Sequence, residues 1–579
     1  MAGFIIVCSR DKAAAPPRGD DLRRCALRLS PDIITPNPPD VYEERGLARA
    51  VVNPVPGVRT DARGICLGAL FGEADWARLG SPPPDGTYAI ARHDDEAVEL
   101  VTDVFASRTI WYLHTADAFL ASTSQRALVA LTGSYEPDPE AVTWLLAAGN
   151  LGPDRGWDAR LRRVPSRTRL RLDRRTWALS STDEELRYEA RPLPEDQHLL
   201  RLWEAIFSVC ASLDTEHVPT ALTLSGGCDS RSVLVALADA GKAVRCVTWG
   251  LAASPADPRN DAAIARRLAG RFGMPHEYHE LDFGEVPARE LFTRFLRAGE
   301  GRIEDFSGYT DGSRAWQRLF DAGTAAILRG DCPGWGSPYA PISEAVARSI
   351  NMHCTLVSDY PDGELIHRLG LAPQRRPDEL YQRAGEALDD YRDRLYNDFE
   401  LPTCMAAMND VKSAYLEVVN PLYGRAVVRA TTELPASLRH CRAGFERLVA
   451  ALVPDIPFSV NQADEPATRF LRRPEMREEL LGELSSQAAR ALLSEAACAA
   501  LTEELERPLG GARTDLRRWA RALVPRRLVR ALRPEPRPHL DAERLAYRAY
   551  LASRMDTILR ADTGALRQRD GSTPSVSSQ

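Results

Sequence analysis

Apolar positions follow two rhythms along this chain. Up to about residue 185 they fall in short alternating runs broken by turn residues, the pattern of half-buried strands. Gly86–Arg92, Ala97–Thr102, Trp111–His114, Phe119–Ser122 and Arg167–Asp173 are the predicted strands, with helices over Ala127–Leu131 and Ala141–Ala147. The opening run Met1–Arg10 has too few apolar residues for a signal peptide and reads as a further strand. Residues 10–60, rich in Pro and Gly, read as loops. Ser180 to Pro194 is a polar joint. From about 196 the rhythm changes: long helical patterns alternate with short apolar runs, as in an α/β domain with a parallel sheet. Ala221–Leu224 and Val244–Trp249 are buried-strand candidates flanking a helix over Ser232–Ala240, which Gly241 ends. Residues 376–453 read as almost wholly helical, residues 470–560 as helical and Arg-rich, and Asp570–Gln579 as disordered.

Composition narrows the class. Hydrophobic residues make up 44% and charged residues 27% of 579, enough apolar surface for at least two cores. A net charge of -7 disfavours nucleic acid as a partner. No apolar run approaches a membrane span, so no membrane is expected and a cytoplasmic location is. The eleven cysteines are an odd number without a CxxC pair, which argues against a disulfide framework or zinc ribbon and for a reducing compartment.

One stretch carries chemistry on its face. A strand ending at Thr223 and Leu224 runs into Ser225-Gly226-Gly227-Cys228-Asp229-Ser230, and a helix follows at once. Glycines let backbone approach a ligand closely, and amides at a helix start attract an anion such as pyrophosphate. Asp229 repels phosphate directly but suits Mg²⁺ that bridges to it. The GxxxxGK[ST] pattern of a Walker loop is absent. The plainer alternative is a Gly-rich turn in which Asp229 and Ser230 cap the helix.

The loop resembles the pyrophosphate loop of the asparagine-synthetase superfamily. Thr248, Trp249 and Gly250 fall where that family contacts adenine, and Asn260-Asp261 through His276-Glu277 is similar to its next helix and strand. Gly86–Arg92, Asp103–Tyr112 and Phe119–Ser122 resemble the family's glutaminase domain. The resemblance implies a sandwich of β-sheets with helices of the Ntn-glutaminase type over 1–185 and an ATP-pyrophosphatase α/β domain over 196–465. A helical Arg-rich extension over 466–565 and a tail over 566–579 complete the division. A working glutaminase of this type exposes a Cys behind the initiator Met. Here that residue is Ala2, and Cys8 lies within a strand pattern, so the glutaminase is expected to be inactive and the amine to come from the substrate.

That departure points to branches that use a substrate amine, lasso-peptide macrolactam cyclases and β-lactam synthetases. Glu304–Gly312 and Arg329–Gly336 are more similar to the former. Asp331 stands where β-lactam synthetases carry Tyr, and Ser459–Asp464 lacks their late Lys. The resemblance implies ATP and Mg²⁺ as cofactors and an adenylated Asp or Glu side chain of a leaderless precursor peptide. It also implies a leader-recognition protein and a leader peptidase as partners. Thr223, Leu224, Ser225, Gly226, Gly227, Asp229, Ser230, Thr248, Trp249, Gly250, Arg329 and Gly330 would bind the nucleotide. Asp229 and Asp331 would hold metal, with Asp331 also catalytic. Glu417 maps onto the general base of β-lactam synthetases. Its plainer role is a helix-end Glu paired with Lys412 or Arg425. Tyr309, Thr310 and Asp311 are further candidates for the peptide site. The alternatives are a small-molecule amide synthetase and a non-catalytic scaffold with a degenerate loop.

Overall fold

The computed structural model describes residues 3–11, 19–282, 284, 286–334, 342–351, 353–359, 372–506 and 542–566. Met1, Ala2, the Arg513–Arg537 region and the tail after 566 lie outside these.

Two six-stranded antiparallel sheets open the chain. The first runs in the order Arg162–Arg163, Trp111–His114, Ala118–Ser122, Gly3–Ser9, Leu47–Val52, Asp40–Glu44. The second runs Leu179–Asp183, Thr168–Asp173, Ala97–Thr102, Gly86–His93, Gly64–Leu70, Arg59–Asp61. Strand alternation explains why they face each other. Phe4, Ile6 and Cys8 point inward against Ile65, Leu67, Ala89 and Leu100 of the other sheet. Ile5 and Val7 point outward, against the helices Gly19–Leu29 and Gln125–Thr132. The first strand is therefore buried on both faces, and the Cys8 thiol is fully inside the sandwich. Residues 10–60 carry more than the loops their Pro and Gly content suggested. They supply a helix and three strands, and Leu47–Val52 is buried throughout.

The second half is built on a parallel sheet in the order His276–Glu280, Arg245–Gly250, Thr220–Thr223, Ala326–Leu328, Glu417–Val419. Every neighbouring pair is parallel. Numbered by their place in the chain, these strands run 3-2-1-4-5. The winding reverses between Thr220–Thr223 and Ala326–Leu328. In such sheets ligands bind beyond the carboxyl ends of the strands at that switch. Residues 376–453 hold one element that helical periodicity did not show, the strand Glu417–Val419. Five described helices, Ala467–Leu471, Pro474–Leu484, Gln487–Leu493, Glu495–Glu506 and Ala542–Asp562, make the C-terminal part helical. The last of them packs back onto Gln125–Thr132 and Pro139–Ala148, joining the two halves in one core. Among the described residues no helix is long and apolar enough to cross a membrane.

One disulfide joins Cys354 to Cys404, and the other nine cysteines are not so paired. No framework of bridges exists, in line with the cysteine spacing, but that spacing gave no hint of the single bridge.

Candidate active site

The strand Thr220–Thr223 and the helix Asp229–Asp239 are joined by the Gly-rich loop, and the sheet fixes where that loop starts. Thr223 Oγ1 donates to Leu328 O at 2.9 Å, and Leu224 N donates to Val247 O at 2.9 Å. Thr248 Oγ1 donates to Leu224 O at 2.6 Å. The loop is then held from within. Ser225 N donates to Ser230 Oγ at 3.0 Å and Gly227 N to Ser225 Oγ at 3.3 Å. Gly226 N donates to Asp261 Oδ1 at 3.0 Å. The same carboxylate accepts from Ser459 Oγ at 2.5 Å, and Ser459 N donates to Gly226 O at 3.0 Å. Arg231, fully buried, donates to Gly226 O, Ile456 O and Pro457 O, which fastens the loop to the segment after residue 455.

No side chain caps the helix that follows. Asp229 turns away to Arg442, which bonds both its oxygens, and the Ser230 hydroxyl is used inside the loop. The first-turn amides of an α-helix have no intrahelical acceptor. The capping alternative is thus not what the side chains do, and an anion-binding helix start is left.

Close packing explains three glycines. A Cβ on Gly226 would come within 2.5 Å of Ser459 Cβ, and one on Gly250 within 2.3 Å of Ala463 O. A Cβ on Gly330 would lie 2.4 Å from Ser230 N and 2.5 Å from Asp229 C. The turn after Ala326–Leu328 therefore rests directly on the loop, at the switch point. It sets Arg329 and Asp331 beside Asp229. Arg329 forms a bidentate pair with Asp331, 3.0 and 2.8 Å. Burial pushes the Asp331 carboxyl up, yet the Arg329 guanidinium outweighs this and holds it below its ordinary range. Trp249 packs edge-on against Trp316 with ring centres 5.0 Å apart. Thus Thr223 to Ser230, Thr248 to Gly250 and Arg329 to Asp331 converge at the carboxyl edge of one sheet.

Beside this edge opens a cavity of about 700 Å³, within the size range of small-molecule and peptide pockets. Arg329 and Asp331 line one side. Glu304, Asp305, Phe306 and Ser307 line another, with His353, Gln462 and Asp464 completing the part nearest the sheet. Burial raises the Asp464 carboxyl to about 6. Tyr309 does not reach the cavity: it is buried, and its hydroxyl donates to Met408 O. Asp311 accepts from Ala315 N at the start of the helix Arg314–Asp321. Lys412 is buried too, donating to Met408 O at 2.9 Å. Burial, then the nearby Arg329, holds its ammonium far below the ordinary range.

Glu417 is not brought to this edge. It opens its strand, opposite Ala326, at the amino end of the parallel sheet. Its carboxylate accepts from Gly68 N at 2.7 Å and faces Arg108 at 3.1 Å, both from the antiparallel half. Neither Lys412 nor Arg425 is its partner. Both charged groups are almost wholly buried, so Glu417→Gln breaks a desolvated pair and is expected to cost about 3 kcal/mol of stability. Urea unfolding of the two proteins checks this, and a midpoint unchanged at constant slope would refute it.

The oxygen donors fit a hard divalent cation in kind, since Asp229 and Asp331 are carboxylates at the same edge of the sheet. Each is already engaged by a guanidinium, Arg442 and Arg329, so a cation there shares or displaces those contacts. Arg442 and Asp261 escaped the sequence reading as partners of the loop. Arg442 follows Cys441, both with positive φ, in a bend that no local pattern announces.

Comparison with known proteins bears on part of the chain. No curated protein sequence matches it. Two of the solved structures that match are the allosteric regulatory enzyme of purine biosynthesis and glutamine phosphoribosylpyrophosphate amidotransferase from B. subtilis complexed with ADP and GMP. Each is 10% identical and covers 48% of this chain and 80% of the other, with a TM-score of 0.20, which carries no argument about function. The family model described as asparagine synthase matches residues 208–310, so the strand, loop and helix that form the candidate site lie inside a segment of asparagine synthase type.

Proposed function

We propose that this protein is an ATP-dependent ligase that forms an amide by way of an acyl-adenylate, and that its substrate is a leaderless peptide closed into a macrolactam. The observation that carries the reading is the uncapped helix start behind Ser225–Ser230, placed at the sheet's switch point and packed against the turn whose Arg329 and Asp331 line a large cavity. The asparagine synthase match over the same residues supports it.

In the first step a substrate carboxylate attacks the α-phosphorus of ATP and pyrophosphate leaves. The loop amides and the helix start receive the departing charge. Asp229 and Asp331 are the residues that would hold Mg²⁺, which when bound neutralises charge on the pyrophosphate. In the second step an amine attacks the activated carbonyl and AMP leaves. The cavity suits a peptide better than a single amino acid. Its walls come from both stretches that resemble lasso cyclases, residues 304–307 of one and Arg329 and Asp331 of the other. The carboxylate would be an Asp or Glu side chain, and the amine the α-amino group freed by a leader peptidase with its leader-recognition protein.

Incubation with ATP, Mg²⁺ and the leaderless precursor should release AMP and pyrophosphate and give a peptide lighter by one water. Asp229→Ala should lower pyrophosphate release by about 1,000-fold, the scale of losing one preorganised charge-stabilising group. Absence of release with every peptide and amino-acid substrate would favour a scaffold role. Turnover of a small amino acid alone would favour a β-lactam type of synthetase.

A further inference from the structure

Glu417, the base expected from the sequence for the amide-forming step, lies at the other end of the sheet from the carboxyl edge. An amine that attacks a carbonyl must shed a proton, and a positioned base speeds such steps by about 100- to 10,000-fold. We propose that His353 is that base and that Asp305 positions it. The inference rests on the ligase reading above.

Three observations place the pair. His353 Nδ1 lies 2.6 Å from Asp305 Oδ2, and both residues line the large cavity that also holds Arg329 and Asp331. A carboxylate can only accept, so this contact puts the proton of a neutral ring on Nδ1 and the lone pair on Nε2. Asp305 is itself fixed, since its Oδ1 accepts from Ser307 N at 2.9 Å and from Ser307 Oγ at 2.6 Å. Burial pushes the Asp305 carboxyl up, but His353 and Ser307 together hold it below its ordinary range, so it remains a charged acceptor. Third, His353 shares the wall of that cavity with Asp331 and Asp464, residues of the carboxyl edge. A base tethered to a carboxylate on the wall of the substrate cavity is the arrangement that aminolysis requires.

The step balances as follows. The amine arrives uncharged, having left one proton in solvent. Its lone pair forms the C–N bond to the acyl carbon, and the bond from that carbon to the phosphate oxygen breaks, so AMP leaves with the electron pair. The second amine proton passes to His353 Nε2. Asp305 stabilises the resulting imidazolium and later the ring loses its proton to solvent.

Hydroxylamine separates the two steps, because it is largely uncharged at neutral pH and captures an acyl-adenylate without a base. The full-length protein would be mixed with ATP, Mg²⁺ and synthetic leaderless peptides that carry a free α-amine and an Asp or Glu side chain at ring-forming spacing. With His353→Gln, the first turnover of pyrophosphate release and the yield of peptide hydroxamate should stay within about three-fold of wild type, while ring closure falls by about 100-fold or more. Asp305→Asn should show the same split, a result that mere loss of structure would not give. Imidazole in the buffer should restore part of the ring closure in His353→Ala, which keeps the question answerable if the Gln variant folds poorly. Ring closure by His353→Gln within a few-fold of wild type would overturn the proposal. So would a loss of pyrophosphate release as large as the loss of closure. Neither pyrophosphate nor hydroxamate from the wild-type protein would instead sink the ligase reading, and the base with it.

Discussion

Gly330→Ala is expected to lower ATP-dependent pyrophosphate release by about 100-fold or more while costing only about 1–3 kcal/mol of stability. The asymmetry comes from where the added methyl goes. It would sit 2.4 Å from Ser230 N, whereas ordinary contact begins at 3.4 Å, so something must yield by about 1 Å. What it meets is backbone on both counts, Ser230 N and Asp229 C, and backbone at a helix start cannot swing aside as a side chain can. Overpacking of this kind is a modest charge against the whole fold. If the Ser230 amide meets pyrophosphate as proposed, the same displacement is costly there, because misplacement by 1 Å loses about 100-fold in rate. Gly334→Ala is the matched control. Among the described residues its Cβ would meet nothing nearer than Arg442 Cγ at 3.7 Å, so it should retain activity within about two-fold. Pyrophosphate release and thermal unfolding of both variants check the pair of expectations. A Gly330→Ala protein with wild-type rate would mean that the turn after Ala326–Leu328 does not bear on the reaction.

The loop was legible because its chemistry is consecutive in the sequence: strand, two glycines, acid, helix. The alternating runs of the first half were legible for a similar local reason, and Gly86–His93, Ala97–Thr102, Trp111–His114 and Ala118–Ser122 stand where the alternation places them. Leu47–Val52 was not, because the Pro and Gly residues on either side masked it. Glu417–Val419 was missed because three residues are too few to show a period. The supports of the candidate site were hidden for a different reason. Asp261 and Ser459 meet across 198 residues, Arg442 and Asp229 across 213, and His353 and Asp305 across 48. Such pairs are set by the winding of the sheet, which no local pattern encodes. Glu417 shows the converse hazard. Its position in a family-like stretch suggested chemistry, while the strand it opens turns it toward Gly68 and Arg108.

Arg548→Ala is expected to destabilise the protein by about 3–5 kcal/mol at neutral pH, more than any other single change considered. Arg548 is fully buried on the helix Ala542–Asp562. Its guanidinium donates to Glu304 Oε2 and Oε1 at 2.7 and 2.8 Å, to Asp359 Oδ1 and Oδ2 at 2.8 and 2.7 Å, and to Leu146 O at 2.9 Å. It thus binds the C-terminal helix to the helix Pro139–Ala148 and to two strands of chain that line the cavity. Removing it leaves two carboxylates in a site too dry to screen them, with the partly buried Arg544 as their remaining counter-charge among the described residues. The pH dependence gives the test its sharpest form. Burial alone would raise the Glu304 carboxyl, but Arg548 and then Arg544 hold it below its ordinary value of 4.5. A group so lowered stabilises the wild-type fold above pH 4.5, and that stability is lost as pH falls through the folded-state value. Without Arg548 the burial contribution comes to dominate, so between pH 7 and pH 4.5 acid relieves the variant by protonating Glu304 while the wild type keeps the contribution of that group. The gap between the two proteins should therefore narrow from pH 7 to pH 4.5 in urea unfolding. A gap that stays constant or widens over that range would mean that the loss comes from packing of the arginine stem, not from its charge. Because Glu304 adjoins Asp305 on the cavity wall, the same substitution should also impair ring closure in the fraction that remains folded.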